Sequence, residues 1–329
     1  TQGDEQMFAP ERVGALLCEE DEGNVSGAGD EGGGCAKEGA LSQLSIESVS
    51  DMGRRYVLPD GIYAQLRCNL GAEANVKLLK WSWLDARAEE MRSASTDEER
   101  RRLALPRRQD IEATDRGAFY TAAEIAALPR GNVTWAGGPL AVVAISHCWE
   151  TASHPDPVGR TLLSIARSIR RAQKEHIGRH HELLPGDIGI FLDWCSLHQK
   201  DANGERTATE SACFAEALGS MQLWYAHQLT TCLLLVDSGG AHSASGLGYD
   251  ARGWTTFEWR VAMLAKRTSD WAWPLLLTSA ADADTRALRG PPLTPEAFEA
   301  LLETKSFTNG KSDRALVVSL YSQTAASDY

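Results

Sequence analysis

The stretch Ala-Val-Val-Ala-Ile-Ser-His-Cys-Trp-Glu, residues 141–150, decides the fold of this 329-residue chain. Its apolar half is continuous and rich in β-branched residues, which is the pattern of a strand buried on both faces. Similar apolar runs follow at 188–192, 230–236 and 273–278. Amphipathic helical patterns separate them at 160–174, 209–227 and 254–266. Buried strands joined by crossover helices predict an α/β fold with a doubly wound parallel sheet.

Polar and aromatic residues follow the first two apolar runs directly. The first run continues into Ser146, His147 and Trp149, and the second into Asp193 and Trp194. In doubly wound sheets, ligands bind outside the carboxyl ends of the strands, where successive connections pass to opposite faces. We therefore expect these five side chains to meet at one edge of the sheet and to bind a ligand.

A third block, Arg-Gly-Trp-Thr-Thr-Phe-Glu-Trp-Arg at residues 252–260, follows the third strand and opens a helix. It places Glu258 one helical turn after Trp254. We expect the Glu258 carboxylate to lie where the strand ends converge. Two structural alternatives remain open: Glu258 caps its helix or pairs with Arg252 or Arg260, and Trp254 belongs to the core.

Composition divides the chain into four segments. Residues 1–50 hold 11 acidic residues against two basic ones, and they are rich in Gly and Ser, so we predict a disordered tail. Residues 51–137 show mixed patterns: a strand at 55–58, a turn at 59–61, helical periodicity at 76–81, a helix opened by Thr96 and another at 122–128. We interpret residues 51–137 as a wrapping subdomain. Residues 138–280 form the α/β domain. Residues 281–329 are expected to add C-terminal helices at 295–303 and 312–321 around a turn at 308–310.

Charge and cysteine content limit the classes of partner. Outside the acidic tail the chain is nearly neutral, so bulk charge gives no reason to expect nucleic-acid binding. No signal segment or long apolar run is visible, which predicts no membrane partner. Seven cysteines at irregular spacings favour reduced thiols and a cytoplasmic location over a disulfide framework.

The order of the blocks resembles a known group of domains. The chain contains Ser-His-Cys-Trp at 146–149, Phe-Leu-Asp-Trp-Cys-Ser-Leu-His-Gln at 191–199, Met-Gln-Leu-Trp-Tyr-Ala at 221–226 and Arg-Gly-Trp-Thr-Thr-Phe-Glu at 252–258. These blocks are similar in order to the motifs of fungal heterokaryon-incompatibility (HET) domains. HET domains are related to Toll/interleukin receptor (TIR) domains, in which the Glu of a Trp-Cys-x-x-Glu-type segment cleaves NAD. The resemblance covers roughly residues 138–280. It implies a flavodoxin-like fold and nicotinamide-ribosyl hydrolysis, with Glu258 as the catalytic residue.

The chemistry of NAD is compatible with a single carboxylate. Nicotinamide leaves as a neutral molecule from a cationic pyridinium, so its departure needs no proton donor, and one carboxylate suffices to stabilise the oxocarbenium-like ribose. Glu258 could do this. Asp193 could accept ribose hydroxyls, Ser146 and His147 could reach a phosphate or ribose, and Trp149, Trp194 or Trp254 could stack on a flat ring. Each also has a structural alternative, as a turn cap or a core residue. NAD is then a substrate, and we expect no permanently bound cofactor.

Two other function classes remain open. The first is a non-enzymatic signalling module that self-associates as a homo-oligomer through a TIR-like surface. The second is a zinc- or thiol-dependent hydrolase, in which Cys148, Cys195 and His198 together with His147 supply ligands or a nucleophile. Their spacing is not that of a standard zinc finger and a small buried thiol is the usual role, so we expect no metal site.

Overall fold

The computed structural model describes residues 54–56, 59–66, 74–127, 142–180, 187–228, 230–265, 275–280, 290–307 and 311–327. The predicted tail at 1–50 and the predicted turn at 308–310 lie outside these residues.

A five-stranded sheet organises the chain, in the order β1-β3-β2-β4-β5. The strands are β1 Leu79–Lys80, β2 Val142–Ser146, β3 Gly189–Phe191, β4 Thr230–Leu234 and β5 Leu276–Thr278. β2 pairs in parallel with both β3 and β4, and β4 pairs in parallel with β5. β1 alone runs antiparallel, against β3. The predicted α/β class is therefore confirmed, with a sheet that is mostly parallel.

The helices lie before, between and after these strands. Those before β2 are α1 Pro59–Leu66, α2 Trp81–Ser93, α3 Asp97–Arg102, α4 Arg108–Thr114 and α5 Ala122–Ala127. Those between β2 and β5 are α6 Arg160–His180, α7 Asp193–Ser196, α8 Ala208–Gly219, α9 Gln222–Ala226 and α10 Gly253–Ala265. The last two are α11 Pro295–Leu302 and α12 Lys311–Ala325.

Three local predictions were wrong. Residues 54–55 are helical rather than extended, and the predicted turn at 59–61 is the first turn of α1. The helical periodicity predicted through 76–81 is extended chain and β1, and the helix begins only at Trp81. The single helix predicted over 209–227 is two helices, because the chain turns at Ser220 between α8 and α9.

The helix starts follow ordinary capping chemistry. Thr96 and Thr207 each accept a hydrogen bond from the backbone N–H of a glutamate three residues on, and the carboxylate of that glutamate accepts one from the threonine backbone N–H. These reciprocal bonds satisfy amides that a helix start leaves without partners. Thr294 caps α11 in the same position, with Pro295 at the first helical residue. The capping box predicted at Thr96 is thus confirmed.

Alternate residues of the strands pack into two separate hydrophobic cores. Val142 and Ala144 of β2 face one core, together with α1, α9, α10 and α12, whereas Val143 and Ile145 face the other, together with α2 and α6. Burial of each large aliphatic side chain contributes about 1.5–3 kcal/mol. Both faces of the sheet are therefore covered, as the continuous apolar runs predicted.

The connections that leave β2 and β4 fix where a ligand can bind. The chain leaves β2 for α6 on one face of the sheet, and it leaves β4 for α10 on the opposite face. Two adjacent parallel strands whose connections diverge in this way open a crevice beyond their carboxyl ends. By this rule the crevice lies beyond Ser146 and Leu234, next to the end of β3.

The C-terminal helices pack against α10. The rings of Phe298 in α11 and Tyr321 in α12 stack with centroids 3.9 Å apart. Phe298, Val317 and Tyr321 belong to the same core as Phe257 of α10. The segment after residue 280 therefore helps to fix the helix that carries Glu258. None of the helices in the described ranges has the length and apolar character needed to span a bilayer.

Candidate functional site

Ser146 is the last residue of β2 and carries the first polar side chain of the site. It follows Val142 and Ala144 on the same side of the strand, so its side chain points toward the core that contains α10. The residue is fully buried. Its Oγ lies 2.5 Å from Oε2 of Glu258 and 2.5 Å from the hydroxyl of Tyr249. The end of β2 therefore meets, at one hydroxyl, two residues that come 103 and 112 positions later in the chain.

Glu258 comes from the second turn of α10, and Gly253 allows that helix to start where it does. A Cβ at Gly253 would lie 1.9 Å from the ring of Phe307, and the Gly253 amide donates to Ser306 O at 2.9 Å. Only glycine lets the backbone approach this closely. The close contact holds the start of α10 against the 306–307 segment and aims Glu258 at the end of β2.

Arg252 and Arg260, the arginines that the sequence suggested as partners for Glu258, interact with other groups. Arg252 donates to the hydroxyls of Ser243 and Ser245, and the Arg260 guanidinium lies 4.8 Å from the centre of the Trp259 ring. The carboxyl of Glu258 instead accepts a hydrogen bond from the Ser146 hydroxyl, and the Tyr225 hydroxyl, which donates to Ile145 O at 3.3 Å, also acts to lower its pKa. The salt-bridged alternative is therefore not the arrangement found among the described residues.

The environment of Glu258 favours its neutral form. The residue is 7% exposed. The pKa of Glu258 is raised from 4.5 to about 8, chiefly by burial; the charge of Asp193 also raises it, whereas the hydroxyls of Ser146 and Tyr225 and the charge of His147 lower it. Desolvation dominates because hydroxyl donors do not replace the water that a carboxylate loses. Glu258 is thus a carboxylic acid through most of the neutral pH range.

Asp193, at the start of α7, has the opposite environment. His147 Nε2 lies 3.1 Å from its Oδ1, Trp149 Nε1 donates to its Oδ2 at 2.8 Å, and the Trp194 amide donates to its Oδ1 at 2.7 Å. Burial would raise the pKa of Asp193, but the positive charge of His147 and these donors lower it. The carboxylate of Asp193 therefore stays ionised.

His147 completes an ion pair with Asp193. Burial would lower the pKa of His147, but the hydrogen bond and charge of Asp193 raise it. The side chain of His147 is 2% exposed and that of Asp193 is 25% exposed. Of these two groups, Asp193 is the one that solvent or a ligand can reach directly.

The tryptophans that were predicted to bind a ligand fall into two groups. Trp149 and Trp194 lie beside Asp193, with their rings edge to face and their centroids 5.4 Å apart. Trp149 is half-buried, whereas Trp194 is buried and donates its indole N–H to Leu105 O at 2.8 Å. Trp254 is not brought to this group: its indole N–H donates to Asp313 of α12 at 2.9 Å, and its ring packs on Phe257. The structure thus gives Trp254 a packing role between α10 and α12.

Two tyrosines of the site were not predicted from the sequence. Tyr249 ends the Gly/Ser-rich segment before α10, and Tyr225 lies within Met-Gln-Leu-Trp-Tyr-Ala at 221–226, in α9. Burial raises the pKa of both phenols well above its usual value, and the charge of Glu258 adds to this. An aromatic residue at the end of a polar segment was the available signal for Tyr249, but the 3-10 helix Tyr249–Ala251 is too short to carry a periodicity that predicts the direction of its side chain.

The residues of the zinc or thiol alternative point in different directions. Cys195 Sγ donates to Pro106 O at 3.4 Å, the Cys148 sulfur lies beside Gly239, and His198 Nδ1 is 3.6 Å from Glu210. Burial raises the pKa of both thiols. The described part of the chain contains no group of three or more His, Cys, Asp or Glu side chains arranged to hold a metal ion.

The site is thus a pair of carboxyl groups with different partners, Asp193 held ionised by N–H donors and the imidazole of His147, and Glu258 held neutral beside the hydroxyl of Ser146. Electrostatic interactions join the two halves, since Asp193 and His147 both act on the pKa of Glu258. Comparison of the chain with protein-family models, with curated proteins and with solved structures gives no match.

Proposed function

We propose that this chain is a TIR-like or HET-like α/β domain that hydrolyses the bond between nicotinamide and ribose in NAD, with Glu258 stabilising the ribosyl oxocarbenium. The observation that carries the proposal is the hydrogen bond of 2.5 Å between Glu258 and Ser146 at the carboxyl end of β2. It supports the proposal because it joins the carboxyl group to the last residue of β2 and not to a basic side chain on the helix surface.

The strand order supports a flavodoxin-like sheet. The four parallel strands lie in the order β3-β2-β4-β5. Numbered among themselves along the chain, they read 2-1-3-4, which is the flavodoxin-like order without its fifth strand. In that order the ligand site lies outside the first of the parallel strands, here β2, where Ser146 and His147 are found.

A bound cation would ionise Glu258. With a pKa of about 8, removing its proton at pH 7 costs about 1.4 kcal/mol. A positive charge 4 Å away is worth about 4 kcal/mol at the effective dielectric constant typical of proteins. The pyridinium of NAD, and then the oxocarbenium that forms when it leaves, would therefore convert Glu258 to the carboxylate that stabilises them.

Asp193 is suited to hold the ribose. Its carboxylate keeps exposure on one side while His147, Trp149 and Trp194 fix its orientation. An oriented carboxylate at a strand end accepts hydrogen bonds from paired ribose hydroxyls. Trp149 next to it offers the half-buried aromatic face that a flat ring can contact. NAD is then a substrate released after each turnover.

The test is release of nicotinamide from NAD by the purified protein, measured over a range of protein concentrations. We expect turnover in the wild type, a loss of about 100-fold or more in Glu258→Ala, and no change in Glu299→Gln, an exposed glutamate of α11. Unchanged turnover in Glu258→Ala would remove Glu258 from the mechanism. Intact NAD at every concentration, together with concentration-dependent oligomers, would instead favour a self-associating signalling module.

A further inference from the structure

The two carboxyl groups of the site differ in the chemistry of their partners. Asp193 is contacted by an imidazole and two N–H groups, which stabilise a negative charge. Glu258 is contacted by the hydroxyl of Ser146, a group that serves a neutral acid as well as a carboxylate. A site that hydrolyses only a cationic glycoside needs no such division, because its leaving group departs without a proton.

We propose that the site also hydrolyses ribosides of uncharged bases, with Glu258 donating a proton to the departing nitrogen and Asp193 stabilising the ribosyl cation as a carboxylate. This inference rests on the proposed function only in taking ribose as the group that reacts. It adds a substrate class, neutral N-ribosides, whose leaving group is too basic to depart as an anion.

The reaction balances with water as the only co-reactant. The C1′–N bond breaks, its electron pair leaves with the base, and the proton of Glu258 is transferred to the nitrogen that carried the bond. Water then adds its oxygen to C1′, and the proton it loses returns to Glu258. The products are free ribose and the neutral base, and the enzyme regains its starting protonation state.

The groups around Glu258 fit this assignment of roles. The titratable groups that face it are His147 and Cys148 after β2, Asp193 of α7, Tyr225 of α9 and Tyr249 before α10. Burial raises the pKa of Glu258 to about 8, whereas the partners of Asp193 lower its pKa. Two carboxyl groups whose pKa values are driven apart are the arrangement found where one acts as an acid and the other as an anion.

The experiment compares two ribosides that differ in the leaving group. Inosine requires protonation of its base, whereas p-nitrophenyl β-D-ribofuranoside releases a stable anion. We expect kcat/KM for inosine to be constant in mildly acidic solution and to fall as the pH rises through about 8. Glu258→Gln should lose about 100-fold or more on inosine and less than about tenfold on the nitrophenyl riboside. Asp193→Asn should lose activity on both.

Two results would overturn the inference: no hydrolysis of inosine at any pH, or equal losses on the two ribosides in Glu258→Gln. The pH profile of the wild type needs no variant, so a folding defect in Glu258→Gln does not leave the question open. The NAD assay is separate. Cleavage of inosine with intact NAD would contradict the proposed function alone, and cleavage of NAD with intact inosine would contradict this inference alone.

Discussion

The hydroxyl oxygen of Ser146 lies 2.5 Å from a carboxyl oxygen of Glu258, although 112 residues separate the two in the chain. One ends the central strand of the sheet and the other lies on a helix that packs across it. The contact therefore reports on tertiary structure, and it places an acid in surroundings where ionisation is costly. Several measurable consequences depend on it.

The protonation of Glu258 should make stability depend on pH. Its pKa rises from 4.5 to about 8 on folding, so the folded chain holds a proton that the unfolded chain releases between those values. The resulting stability is fully present below about pH 4.5 and is lost as the pH rises toward 8, at about 1.4 kcal/mol per pH unit. We expect urea unfolding to show this slope in the wild type and to lose it in Glu258→Gln. Equal slopes in both proteins would contradict the assignment.

The ion pair between His147 and Asp193 should control the protonation of the histidine. The hydrogen bond and charge of Asp193 raise the pKa of His147 against the effect of burial. In Asp193→Asn burial is opposed only by the weaker charge effects of Glu258 and Asp156, so we expect the pKa of His147 to fall. The imidazole resonances followed by NMR against pH give the measurement. Asp201→Asn, at an exposed turn, is the matched control, and an equal shift there would argue for a general charge effect.

Arg108 should be essential to the junction between the N-terminal segment and the sheet. Its side chain is fully buried and donates to the carbonyls of Ala74, Asn75 and Ser196 and to Glu112. Arg108→Met would leave these acceptors without their donor, and breaking such a buried charged network costs about 3–5 kcal/mol.

Urea unfolding provides the comparison for Arg108. Arg101→Met removes an arginine from a surface ion pair with Glu98, in which the Arg101 side chain is 60% exposed. We expect this variant to lose no more than about 1 kcal/mol of the free energy of unfolding. Similar losses in the two variants would mean that the Arg108 contacts contribute little.

The main strands and the location of the site could be predicted because both depend on local patterns. The apolar runs that became β2, β3 and β4 are long enough to need burial on two faces, and the strand-end rule then places Ser146 and Asp193 together. Glu258 was predicted to lie with them because the helix that follows β4, α10, begins at the same edge of the sheet. These steps need only periodicity and topology.

The remaining features depend on contacts distant in sequence. β1 has two residues and exists because it pairs with β3, so no periodicity predicts it. The break between α8 and α9 occurs at Ser220, whose hydroxyl donates a hydrogen bond to Gln65, 155 positions away in the chain. Trp254 turns toward α12 because Asp313 accepts its N–H. Tyr249 reaches Ser146 from a three-residue 3-10 helix, Tyr249–Ala251, which is too short for periodicity in the sequence to predict a side-chain direction.

Ser146 should lower the pKa of Glu258, and its removal should raise that pKa above about 8. A hydroxyl that donates to a carboxylate favours the ionised form, so Ser146→Ala makes ionisation harder. Tyr249→Phe is the matched control: Tyr249 contacts the Ser146 hydroxyl, so its loss leaves the bond from Ser146 to Glu258 in place. Infrared titration of the carboxylic acid C=O band gives the midpoint in each protein. We expect the midpoint to move to higher pH in Ser146→Ala and to shift much less in Tyr249→Phe. A midpoint that moved to lower pH in Ser146→Ala would mean that Ser146 accepts the proton of a neutral Glu258 and stabilises the acid, which reverses the role assigned to this hydrogen bond.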